Sequence, residues 1–161
     1  MQPSLLLRPL RQDDWDQVME TYADAVQTLA TPLYRPEQIQ AWAAYPTTHV
    51  AVREALGRGT GLVGTTADRP SAVEAFALLD PLDRLALLYC RGRSSRKGLA
   101  TALVQGLEAH ARRAGQTALR TEASQLSRPL LERLGWRVDH EETILFAGEP
   151  FLRWRMSTTL I

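Results

Sequence analysis

Leu85–Gly115, LALLYCRGRSSRKGLATALVQGLEAHARRAG, is the stretch from which the fold follows. Six apolar residues, Leu85–Cys90, run without a break, as in a buried strand. Arg91, Arg93, Arg96 and Lys97 come next, among glycine and serine. Gly98 then opens an amphipathic helix, Leu99–Ala114, with Leu99, Leu103, Leu107 and Ala111 on one face. Arg112 and Arg113 suit the negative end of that helix and Gly115 its C-terminal cap. A helix N-terminus carries unpaired N–H groups and the positive end of the dipole, and a small-residue cationic loop lets an anion reach both. The segment therefore predicts a ligand bearing a pyrophosphate.

Outward from this segment the chain alternates strands and helices. Upstream, Leu5–Leu10 reads as a strand, and Asp13 or Asp14 caps a helix with Trp15, Val18, Met19, Tyr22, Val26 and Leu29 in phase. Thr31–Pro32 stops it, Pro36 restarts a helix with Ile39, Trp42 and Ala43 on its apolar stripe, and Pro46 ends that one. Thr48–Arg53 suits a strand, Gly57–Gly64 a glycine-rich turn, Asp68–Ser71 a second turn, and Ala72–Leu79 and Leu82–Cys90 two further strands. The near-continuous apolarity of the last makes it central. Downstream come strand Thr117–Ala123, helix Leu126–Leu134 capped by Gly135, and strands Trp136–Phe146 and Glu149–Ser157 around the turn at Ala147–Gly148. In the final strand Leu152, Trp154 and Met156 alternate with Arg153 and Arg155. Middle hairpins require antiparallel pairs, and the strand–helix–strand unit Leu82–Ala123 requires a parallel one. The fold class is α/β (α+β), one mixed sheet of about seven strands flanked by about four helices in a single domain, 1–161.

Composition narrows the function. The 161 residues suit one domain, and 45% apolar with 23% charged residues is ordinary for a soluble globular protein. A formal charge of +1 argues against coating nucleic acid or an anionic membrane, so the basic charge is local. A single cysteine, Cys90, excludes an internal disulfide and a multi-cysteine metal site. MQPSLLLRPLRQDD holds only three consecutive leucines, too few for a signal peptide, and no apolar run approaches a membrane span, so a cytoplasmic setting is expected. There is no Gly-x-x-x-x-Gly-Lys-Ser/Thr element, which sets aside a P-loop nucleotidase.

Two motifs in this order of elements resemble the GNAT superfamily of acyl-CoA-dependent N-acyltransferases. The first is Ser95-Arg96-Lys97-Gly98-Leu99-Ala100, similar to the family's Gln/Arg-x-x-Gly-x-Gly/Ala, with Ser95 replacing the usual Gln/Arg. The second is Ser124-Gln125-Leu126-Ser127-Arg128-Pro129-Leu130-Leu131-Glu132-Arg133-Leu134-Gly135-Trp136, with Ser124 at the family's Asn position. The N-terminal part, with Tyr34, Pro36, Ile39 and Trp42, is similar to one bacterial branch of these enzymes. The resemblance spans nearly the whole chain. It implies acetyl-CoA as co-substrate, no metal, a small-molecule or protein amine as acceptor, no nucleic-acid or membrane partner, and room for a homodimer.

The resemblance also implies a site. Arg93, Ser94, Ser95, Arg96, Lys97, Gly98, Leu99, Ala100 and Thr101 would cradle the pyrophosphate, with Gly98 and Ala100 small where a backbone must approach closely. Leu88, Tyr89 and Cys90 would hold the pantetheine and the oxyanion through backbone N–H groups, and Ser124 would complete the cofactor site. The family often places a general-acid tyrosine four residues before the glycine of the second motif; here Leu131 stands there. A thiol with pKa near ~8.5 is a tolerable leaving group even without that acid.

Several side chains compete for the chemistry. An amine titrating near ~10.4 needs a general base. Glu122, at the end of a strand, and Tyr89, on the central one, are the catalytic candidates, set against a solvated strand-end carboxylate and a core tyrosine. Cys90 reads as a structural thiol and Asp83 as a turn carboxylate. His49, His110 and His140 show no metal spacing. Tyr34 and Trp42, with Tyr45, are candidates to line the acceptor pocket, and Arg153 and Arg155 to face an acidic acceptor, against a core-anchor role for Trp42 and plain solvation for the arginines. The leading reading is an acetyl-CoA-dependent N-acetyltransferase acting on a primary amine through a tetrahedral intermediate. The alternative is a non-catalytic acyl-CoA binder, which Leu131 favours. A nucleic-acid module resting on Arg91–Lys97 lacks both a recognition signature and the charge.

Overall fold

The computed structural model describes residues 4–161; Met1–Pro3 of the expected domain lie outside them. The elements are β1 (Leu5–Pro9), α1 (Trp15–Ala25), α2 (Pro36–Thr48), α3 (Ala51–Arg58), β2 (Thr60–Thr66), β3 (Ala75–Leu79), β4 (Arg84–Cys90), α4 (Leu99–Arg113), β5 (Ala118–Ala123), α5 (Arg128–Arg133), β6 (Arg137–Phe146) and β7 (Glu149–Thr159). The strands form one sheet, in the order β1-β2-β3-β4-β5-β7-β6. Among the described residues only β4 and β5 pair in parallel, with α4 as their crossover. No helix among the described residues is long and apolar enough to cross a membrane.

The sheet separates two cores. On one face α4 buries Leu99, Leu103, Leu107 and Ala111, the stripe read from its spacing, against Leu119, Trp154 and Met156. On the other, Val18, Tyr22 and Val26 meet Trp42, Val52, Leu56, Phe76 and Phe151. Each fully buried leucine there contributes roughly 1.5–3 kcal/mol of transfer free energy.

The structure corrects four expectations upstream of the site. Residues Thr48–Arg53 are not a strand: Ala51–Arg58 is α3, a fifth helix among the described residues. Its Val52 and Leu56, four apart, face one core, a helical period hidden by the β-branched residues around it. Gly57–Gly64 is not a turn, because β2 begins at Thr60. Its glycines serve close packing: a Cβ on Gly64 would stand 2.8 Å from Leu99 Cδ2, and one on Gly61 2.8 Å from the Ala77 carbonyl. Pro46 lies inside α2, which runs on to Thr48. Finally, Asp14 does not open α1 as a simple cap. It ends a 3-10 turn, Gln12–Asp14, accepts the Arg11 N–H at 2.8 Å, and pairs with Arg8 at 2.7 and 2.8 Å.

Candidate functional site

Strands β4 and β5 meet only at Arg84↔Arg120 and Leu85↔Thr121, where Thr121 Oγ1 donates to the Leu85 carbonyl at 2.6 Å. Beyond that point they separate. Their divergence opens a cleft of about 370 Å³ lined by Leu85–Tyr89 on one side and Thr121–Ser124 on the other. This is why β4, apolar after Arg84, is only half-buried along most of its length: one of its edges borders open space.

The ladder register says which backbone groups of β4 face the cleft. Arg91 N–H donates to the Glu74 carbonyl at 2.8 Å, so the pairs Glu74↔Arg91, Phe76↔Tyr89 and Leu78↔Leu87 carry the hydrogen bonds to β3. The N–H groups of Leu88 and Cys90 alternate with these and point toward the departing β5. Of the three residues expected to hold an oxyanion, two present their amides there. The third, Tyr89, gives its amide to β3 and turns its side chain toward the α1–α3 core.

The loop between β4 and α4 holds its cations differently from the expectation. Gly98 adopts φ +91°, just ahead of α4, and Arg96 φ +61°. Leu99, Ala100 and Thr101 therefore begin the helix with N–H groups that have no helical acceptor, the first closed turn being Ala102 N–H to the Gly98 carbonyl at 3.0 Å. Leu99 buries its side chain fully, so only its backbone is available to a ligand. Arg93, expected in the pyrophosphate cradle, is ion-paired within the protein. Its Nε and Nη2 both bind the Glu74 carboxylate, which is 0% exposed and also accepts the Ser94 hydroxyl. Arg91 donates Nε to the Val73 carbonyl at 2.8 Å, and Gly92 N–H reaches Asp24 at 2.8 Å. Ser95 donates to the Gly92 carbonyl at 2.9 Å. The loop is thus stapled to β3 and α1, and Arg96 and Lys97 are its cations with no ion-pair partner among the described residues. Sequence spacing missed Glu74 and Asp24 because their side chains act across the fold, from 19 to 68 positions away.

Arg93 and Ser94 hold the Glu74 carboxyl below the usual carboxylate range. A lowered native pKa means stability that is present above the unfolded value, near ~4.3, and lost as pH falls through the native one. Circular dichroism is therefore expected to show acid unfolding beginning below about pH 4, and Glu74→Gln to flatten that limb; an unchanged slope would remove Glu74 from the linkage.

Around the cleft, Tyr34, Trp42 and Phe151 form an aromatic wall with ring centroids 5.3–6.1 Å apart. Trp42 Nε1–H donates to the Tyr89 hydroxyl at 3.1 Å, and Tyr34 accepts the Gln125 N–H at 2.9 Å across the opening. Trp42 is both core anchor and cleft wall. Burial pushes the Tyr89 phenol above its ordinary pKa, so it stays a proton donor. Glu122 faces the same space, gripped by Arg84 Nε at 3.1 and 3.2 Å. Ser124 uses its hydroxyl to accept the Leu126 and Ser127 N–H groups at 3.1 and 3.2 Å, which orders the turn into α5, and Leu131 lines the cleft as hydrocarbon.

Cys90 is a structural thiol. Burial, then the charge of Glu74, pushes its pKa up to about 12. Relative to an ordinary thiol this lowers the thiolate fraction by about three decades, so a disulfide reagent at pH 8 is expected to label the folded chain at least ~100-fold more slowly than the urea-unfolded chain. Equal rates would contradict the burial.

The chain matches the acetyltransferase (GNAT) domain family over residues 30–158. No curated protein matches its sequence at a significant level. Among solved structures, a GCN5-related N-acetyltransferase from Rhodopseudomonas palustris superposes with a TM-score of 0.91 at 22% identity, covering 99% of this chain and 98% of that one. PaiA N-acetyltransferase from Thermoplasma acidophilum, solved in complex with coenzyme A, gives 0.76 at 17% identity, covering 97% and 99%. YncA of Salmonella typhimurium, with its cofactor acetyl-CoA, gives 0.64 at 17%, covering 98% and 95%. These likenesses are of fold. The family match, over a chain whose parallel strands part beside a glycine-opened helix, makes this protein a member of the GNAT acetyltransferases.

Proposed function

We propose that the chain moves the acetyl group of acetyl-CoA directly onto a primary amine of a small molecule or protein, through a tetrahedral intermediate, in the cytoplasm and within one domain spanning 1–161. The β4–β5 cleft carries this reading. It brings unpaired backbone donors, a carboxylate and a phenol to one space that opens beside a helix N-terminus.

The residues fit the co-substrate. The amides of Leu99, Ala100 and Thr101, with Arg96, Lys97 and the left-handed Gly98, make the pyrophosphate cradle; the dipole adds ~0.3–1 kcal/mol for an anion there. Leu88 and Cys90 supply the N–H groups that run beside the pantetheine and receive the negative oxygen. Arg93, Ser94 and Ser95 hold the loop from behind, and Ser124 orders the far wall. Acetyl-CoA supplies an activated acetyl as a thioester. Glu122 takes the proton that the amine must lose, and the Tyr89 hydroxyl, whose oxygen already accepts from Trp42, has its own proton to give. Tyr34 and Trp42 close the acceptor side. Leu131 gives no proton, which a thiol leaving group tolerates.

Thiol release from acetyl-CoA across a library of primary amines tests this reading. Amine-dependent release is expected. Binding of acetyl-CoA with no release for any amine would overturn it and leave a binder.

A further inference from the structure

The acceptor end of the cleft is bordered by charges, and their pairing is unequal. Asp80 accepts from Arg58 at 3.0 Å, and Glu122 is held by Arg84. On the neighbouring strands a single carboxylate serves two guanidiniums: Glu142 of β6 accepts from Nε of Arg153 and, at 2.9 Å, from Nε of Arg155. Every carboxylate at this border is thus already engaged by arginine, and Glu142 is met by one guanidinium more than it can neutralise.

Arg153 is the one of that pair that lines the cleft, and its side chain is 27% exposed. It binds Glu142 through Nε alone. Among the described residues no protein acceptor takes either of its Nη groups, so the two-pronged edge that matches a carboxylate is unused. Arg155 stands directly across the β5–β7 ladder from Glu122, which makes Arg153 a diagonal neighbour of Glu122 on the same face, with backbone positions roughly 7–8 Å apart. The aromatic wall of Tyr34, Trp42 and Phe151 borders the same cleft.

We infer that the acceptor is an aromatic or otherwise apolar amine that also carries an anionic group, received by the Nη edge of Arg153 while its amino group meets Glu122. The inference rests on the acetyl-transfer reading above and adds the acceptor's class to it. The same charges disfavour a polyamine. Its second and third ammonium groups would find no unengaged carboxylate and would face Arg58, Arg84 and Arg153.

The test is thiol release by the full chain at saturating acetyl-CoA with matched acceptors: benzylamine against 4-(aminomethyl)benzoate, 2-phenylethylamine against phenylalanine, and spermidine. The acid-bearing member is expected to lead its partner by about tenfold in kcat/KM, mostly through KM, and spermidine to be the poorest. Arg153→Met is expected to bring each ratio to within about twofold, with Arg153→Lys intermediate because it keeps the charge and loses the fork. Equal rates within the pairs in the unsubstituted protein, spermidine as best acceptor, or ratios that survive Arg153→Met would overturn the inference while leaving acetyl transfer intact. Release with none of these amines, or with any other, would instead remove the acetyl-transfer reading beneath it.

Discussion

Gly98→Glu is expected to abolish acetyl-CoA binding, raising its dissociation constant at least ~100-fold, while the chain still folds. Two effects act together. Gly98 sits at φ +91°, a conformation that costs a residue with a Cβ roughly 1–2 kcal/mol. The new carboxylate would also stand at the helix N-terminus, in the place proposed for the pyrophosphate. Space is not the obstacle, because a Cβ there meets only Leu5 Cδ1, at 3.5 Å. The strain alone lowers the melting temperature by only a few degrees. Gly98→Ala separates the two effects: it carries the strain without the charge, and is expected to lose about tenfold in affinity or less. Calorimetric titration with acetyl-CoA decides the matter. Unchanged binding by Gly98→Glu would mean the cradle lies elsewhere.

Glu122→Gln is expected to lower kcat by ~100-fold or more, the range of a lost general base, with the KM for acetyl-CoA unchanged. The amide keeps the shape of the side chain and one acceptor for Arg84, so the cleft keeps its form. Raising the pH supplies more free amine and is expected to recover part of the lost rate. Were the variant to retain its turnover, Glu122 would be only the partner of Arg84. A rise in the acetyl-CoA KM with kcat preserved would place it on the cofactor side of the cleft.

These two positions differ in how they were found. Gly98 was legible because everything that defines it is local: the apolar strand, the small basic loop and the helix stripe lie within 31 consecutive residues. Glu122 was legible only as a strand-end carboxylate. The role proposed for it depends on β4 and β5 parting after two paired positions, and separation of strands leaves no local signature. Local patterns misled where packing overrode propensity. Gly61 and Gly64 look like turn residues, yet they are glycine because β3 and α4 come within contact of β2. Thr48, Val50 and Val52 look like a strand, yet Val52 and Leu56 bury as one helical face.

The sequence by itself determined the order and type of most elements, the glycine-opened helix after the basic loop, and the family. Those properties rest on periodicity, on glycine punctuation and on motif spacing, which are written along the chain. Only the tertiary structure decided which charges and which amides are free. Arg93 is neutralised by Glu74 from β3's side, Arg91 is tied to Val73, and Arg96 and Lys97 are left to the ligand. Tyr89 gives its amide to β3 while Leu88 and Cys90 keep theirs for the cleft. Arg153 retains an unused edge because Glu142 is shared with Arg155. Each of these outcomes depends on a partner brought in from another element, and a hydrogen-bonding group is available to a ligand only when the fold has not already used it.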